Sequence, residues 1–80
     1  MALTFIAKDP ETNGDNCPTV WVDAPREELV FQGWKAGTDL IAECLTVGPI
    51  PDDEGVFRIP FRMIPAIMEA CSVAMGTAVR

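Results

Sequence analysis

Eighty residues with 12 Asp or Glu against 6 Lys or Arg, a formal net charge of −6, exclude the clustered basic surface that binding to a phosphate backbone requires. A chain this short makes one domain, residues 1–80, and buries only about 60% of the surface its unfolded form exposes. Its hydrophobic fraction of 49% is rich for that size, so part of the apolar surface is expected to lie under a second molecule, with a homo-oligomer, a dimer, as the expected cover.

Leu3–Lys8 alternates as a first strand, with Leu3, Phe5 and Ala7 on one face, and Asp9-Pro10 ends it. From Asp9 to Pro18 the chain is turn-rich. Asp9, Glu11 and Asn13, followed by Gly14, echo the opening of a calcium-binding loop, but the position for the bidentate glutamate falls on Val20 and a strand precedes. A solvated acidic turn and no metal site is the expectation. Thr19–Asp23 reads as the second strand, joined through Ala24–Glu27 to Leu29–Lys35, the densest run of β-favouring residues and the expected central strand. Val20 and Val22 should share a face with Leu29 and Phe31, leaving Trp21 and Trp34 on the other side. Gly33 marks a bulge or the close approach of another backbone.

Thr38 can cap a helix whose Leu40, Ile41, Cys44 and Leu45 fall on one face, with Cys44 as a buried small hydrophobe; Gly48-Pro49 stops it. Pro49–Gly55 is a stiff acidic linker, and Val56–Ile59 a short edge strand ended by Pro60. Pro65 opens a second helix in which Ile64, Ile67, Met68, Cys71, Ala74 and Met75 recur at helical spacing, up to an expected end at Gly76. Its flexible methionines suit an adaptable contact surface. Ile64, Ile67, Met68, Cys71 and Met75, together with Trp34, are therefore the candidate partner-interface residues. The fold class expected is α+β: a small antiparallel sheet of three to four strands with two helices packed on it.

Cys17, Cys44 and Cys71 are odd in number, widely spaced and accompanied by no histidine, a pattern suited neither to zinc nor to a disulfide framework. Reduced thiols in a cytoplasmic protein fit it best, with no leader peptide expected. Glu43, the Gly48–Pro51 segment and Glu69 interrupt every apolar run short of membrane-spanning length. No direct nucleic-acid or membrane partner is expected.

Gly14-Asp15-Asn16-Cys17, Val20-Trp21-Val22-Asp23, Val30–Lys35 and Pro49-Ile50-Pro51-Asp52 leading to Arg58-Ile59-Pro60 give the chain an outline that resembles the small acidic actinobacterial proteins around the developmental regulator BldB. In that group an Asn-Cys-Val strand, a second strand and a strand entering a Pro-headed helix recur, and members are commonly encoded beside helix-turn-helix regulators. The resemblance implies a regulatory partner of that kind and no catalytic residues. From the residues themselves, the lack of His and Tyr leaves few general bases near neutral pH, and Cys17 is the one candidate nucleophile in a loop. The expectation is a non-enzymatic interaction or regulatory protein, without cofactor, that self-associates and acts on a transcription regulator. A small-molecule or metal-sensing domain, using the acidic loops or a pocket beside Trp34, is the alternative.

Overall fold

The computed structural model describes residues 3–11 and 17–78 and shows an α+β fold. Three antiparallel strands, β1 (Leu3–Lys8), β2 (Thr19–Asp23) and β3 (Glu28–Gln32), form one sheet in the order β1-β2-β3. β4 (Trp34–Lys35) and β5 (Phe57–Arg58) form a separate two-stranded ribbon, and helix α1 (Thr38–Leu45) lies in the connection between them. A 3-10 turn over Phe61–Met63 then leads into helix α2 (Ile64–Ala78).

The central strand is β2, not the Leu29–Lys35 run. That run is cut at Gly33 into β3, an edge strand, and β4, which leaves the sheet for the ribbon. The cut has a steric cause: a Cβ on Gly33 would lie 2.5 Å from the backbone oxygen of Arg58, so glycine is what lets the returning chain cross there. Close approach of another backbone is thus the role Gly33 plays.

The β2–β3 register is as the alternation predicts. Val20 pairs with Phe31 and Val22 with Leu29, placing all four on one face, while Trp21 pairs with Val30 and Phe5 on the other. In β1 the expected grouping of Leu3, Phe5 and Ala7 fails, because the register slips between Phe5 and Ala7. This bulge sets Ala7 opposite Val20 and turns Ile6 against the core, while Phe5 stays on the outer face.

α2 covers the inner face. Met63, Ala66, Ile67, Ala70 and Ala74 recur at helical spacing and meet Val20, Val22, Ile6 and Leu29, with Ile59 closing one side. Ala70 is fully buried, its small side chain allowing the helix to approach β2, and Met63 is the largest side chain sealed in the core. The helix runs past Gly76 to Ala78, since a glycine permits a helix end without enforcing one.

α1 is different. Its cap residue is Gly37 and not Thr38, and no residue in it is buried; Cys44, expected in the interior, is half-buried. An eight-residue helix in the connection of a two-stranded ribbon has little apolar surface within reach to cover it. The protein is correspondingly extended, with a Cα radius of gyration of 14.2 Å against about 12 Å for a compact chain of this length.

Candidate functional site

α2 is apolar on two sides. Besides the stripe that packs on the sheet, Ile64, Met68, Cys71 and Met75 form a second one, spaced four, three and four residues apart. Phe61 extends it from the preceding turn, where a spacing of three residues stacks one side chain over the next. All five are exposed: Phe61 by 87%, Met68 by 66%, Met75 by 63% and Ile64 by 44%. At about 100° per residue this stripe lies roughly a third of a turn around the helix from the core stripe. The only charged residue of α2 is Glu69, which lies outside both.

Four of the six residues singled out from sequence, Ile64, Met68, Cys71 and Met75, are thus brought together on one surface. Ile67 turns inward and packs against the core cluster, because it continues the Met63, Ala70, Ala74 side of the helix. Trp34 sits apart on the ribbon, half-buried, opposite Arg58 in the β4–β5 pairing, with the Arg58 guanidinium 5.6 Å from its ring centroid. Its indole N–H is buried and makes no hydrogen bond within the described residues. Phe61, the most exposed aromatic of the stripe, escaped the sequence reading because it falls between a strand signal and a helix signal. The spacing Phe61, Ile64, Met68 could have found it.

At the C-terminal end of the stripe a cavity of about 130 Å³ opens between α2 and the β2–β3 turn. Val22, Ala24, Leu29, Ala74 and Met75 give it apolar walls, and Asp23, Glu27 and Glu28 also border it. Glu27 holds a left-handed backbone with φ of 57°, closing the turn through its N–H to the carbonyl of Ala24 at 3.1 Å. Asp23 is held in place within that turn, its Oδ1 accepting the N–H of Arg26 at 3.3 Å.

The opposite end of α2 is fixed by an ion pair that the sequence did not reveal. Arg62 Nε donates to both carboxylate oxygens of Asp9 at 2.9 and 3.0 Å, and Nη2 donates to Oδ2 at 2.8 Å. The Asp9 carboxylate is fully buried, and its Oδ1 also accepts the N–H of Glu11 at 3.0 Å. The hydrogen bonds that Arg62 donates to Asp9 raise its pKa above the ordinary arginine value; desolvation opposes this, and the charges of Asp9 and Glu11 add to it. Asp9 also closes the β1–β2 loop through its own N–H, 2.8 Å from the carbonyl of Pro18. Both oxygens of the first residue in the calcium-like series therefore serve the fold, while Asn13 and Gly14 lie outside the described residues. Among the described residues no group of three or more His, Cys, Asp or Glu side chains is placed to hold a metal ion.

Comparison with known protein families, curated proteins and solved structures finds no match. The three cysteines form no disulfide among the described residues, and Cys17 is buried, with its carbonyl accepting from Thr19 Oγ1 and Gln32 Nε2, both at 2.9 Å. No described helix is long and apolar enough to cross a membrane. A second apolar surface lies on the outer sheet face, where Phe5 is 57% exposed and Leu3 39% exposed.

Proposed function

We propose that the chain is a cytoplasmic, non-enzymatic interaction protein that self-associates through the outer stripe of α2. In this reading the assembled form acts on a transcription regulator of the helix-turn-helix class, as its resemblance to the BldB-like proteins implies. The observation that carries self-association is a helix apolar on two sides with only one of them covered. Such a helix belongs to a larger core than one copy supplies.

The accessible surface supports it. The chain exposes 6086 Å², whereas a monomeric protein of 8.7 kDa exposes roughly 4,700 Å². The excess, on the order of 1,000 Å², is shared between the stripe of α2 and uncovered side chains in and just after α1 and on the ribbon, such as Leu45, Val47 and Phe57. Charge points to a second copy rather than an oppositely charged protein for this stripe, because a surface without carboxylates is where two chains of net charge −6 can meet without repulsion.

Sedimentation equilibrium tests the reading. The wild type should be dimeric, and Met68→Lys, which alters an exposed position and spares the core, should be a folded monomer by circular dichroism. A wild type that stays monomeric at high concentration would refute self-association. For the regulator, the tagged chain is retrieved from its own cytoplasm: a helix-turn-helix protein recovered in stoichiometric amount is the expected result, and recovery of nothing beyond further copies of the chain would remove the regulatory half.

A further inference from the structure

We infer that two copies pair with their α2 helices antiparallel, and that Phe61 of each copy inserts into the cavity between α2 and the β2–β3 turn of the other. The inference rests on the self-association reading and specifies the geometry of that surface.

The positions determine the geometry. The exposed stripe runs Phe61, Ile64, Met68, Cys71, Met75, with Met68 seven residues from either end. A two-fold axis at Met68 sets Phe61 of one copy beside Met75 of the other, about 21 Å apart along each helix at ~1.5 Å per residue. Met75 is a wall of the cavity. The aromatic of the stripe is thereby delivered to the end of the helix where the apolar hollow walled by Met75 opens.

Size agrees with this occupant. At about 130 Å³ the cavity is close to the ~150 Å³ apolar site that holds a benzene molecule in an engineered protein, so it suits one phenyl ring. Phe61 stands between Arg58 and Arg62 in sequence, two of the chain's six basic residues, and the cavity is bordered by Asp23, Glu27 and Glu28. Arg62 is held by Asp9 and Arg58 lies over Trp34, so the fit rests on the apolar ring entering an apolar hollow, twice per dimer. A parallel pairing would instead set Phe61 against Phe61 and leave each cavity empty. It would also align the two helix dipoles head to head, where antiparallel pairing opposes them.

Three measurements on the intact chain test it. In sedimentation equilibrium Phe61→Ala, at a position 87% exposed and outside the core, should weaken the dimer by on the order of 100-fold, because two anchors are lost per dimer. Glu28→Lys should also weaken it, whereas Asp52→Lys, in the acidic linker, should leave it unchanged or tighten it by lowering the net charge. Mild oxidation reads orientation through the native thiol. Antiparallel pairing offsets the two Cys71 Cα atoms by about 9 Å along the axis, beyond disulfide reach once the helix separation is added, so the wild type should not cross-link through Cys71. It places residue 64 within about 1.5 Å along the axis of Cys71 of the other copy, so Ile64→Cys should form a 64–71 disulfide between copies, identified by peptide mass.

A dimer in which Phe61→Ala is as tight as wild type, or a Cys71–Cys71 disulfide in the wild type, overturns the docking geometry and leaves self-association standing. A monomeric wild type removes both.

Discussion

Adding a single methyl group at Gly33 tests the junction between sheet and ribbon. In Gly33→Ala the new Cβ would lie 2.5 Å from the Arg58 carbonyl oxygen, 3.0 Å from Ile59 Cγ1 and 3.3 Å from the Arg58 carbonyl carbon. Ordinary contact begins near 3.4 Å, so roughly 0.9 Å of separation must come from movement of backbone, which cannot rotate away as a side-chain tip can. Overpacking of this kind costs about 1–3 kcal/mol, and the lower entropy of alanine in the unfolded chain returns about 0.4–1 kcal/mol. The net expectation is a loss of about 1–2 kcal/mol from a total of roughly 4–12 kcal/mol for a chain of this length. Urea unfolding followed by tryptophan fluorescence should show a lower midpoint at unchanged slope. Gly37→Ala is the internal control, since its added Cβ would meet nothing within 4 Å; it should be neutral or slightly stabilising. Should Gly33→Ala prove as stable as Gly37→Ala, the chain does not cross at Arg58 as described.

Three further outcomes follow from single side chains. Glu27→Gly should stabilise the fold by about 0.5–1 kcal/mol in denaturant titration, because the left-handed backbone at Glu27 costs a side-chain-bearing residue about 1–2 kcal/mol and glycine's own entropy cancels part of the gain; Glu27→Ala should give none of it. Arg62→Lys should lower the melting temperature more than Arg26→Lys, since Arg62 grips a fully buried carboxylate through both oxygens and Arg26 is 78% exposed with its Asp23 contact at 3.9 Å. A raised arginine pKa contributes stability that is complete below the ordinary arginine value and lost only as pH climbs through the raised one, so the difference between wild type and Arg62→Lys should stay flat from about pH 6 to pH 9. A slope in that window would mean another group governs the pair. Met63→Ala, which empties the largest sealed core position, should cost about 2–5 kcal/mol and shift the urea midpoint further than any exposed change on α2.

Local patterns carried much of this fold. Alternation in Thr19–Asp23 and Leu29–Phe31 specified both the hairpin and its register, because in a sheet with one buried face a slip of one residue would turn Val20 and Val22 out to water. Helical spacing from Ile64 to Met75 located α2 and four of the residues on its exposed side. What escaped depends on contacts distant in sequence. Leu29–Lys35 reads as one strand until the backbone of Arg58 arrives at Gly33, 25 residues later. Asp9 has every local mark of a turn residue, and nothing near it announces an arginine 53 positions away. The bulge after Phe5 is likewise invisible locally: it lets both Ile6 and Ala7 serve the inner face, a solution set by what α2 needs covered. Ile67 and Met68 look alike in a helical pattern, and only the sheet decides which one faces it.

The ribbon divides the molecule into two tiers of persistence. β4 and β5 hold each other through the Trp34–Arg58 and Lys35–Phe57 pairs, with one further bond from the Ala36 N–H to the Val56 carbonyl at 3.1 Å. α1 hangs from that connection with none of its residues buried, and eight residues are too few to sustain a helix in isolation. Its amide protons should therefore exchange with solvent through a local opening of low free energy, insensitive to mild denaturant, while those of β2 wait for the whole chain to unfold. Native-state hydrogen exchange would thus record two cooperative units in one small domain, with their border at Gly33.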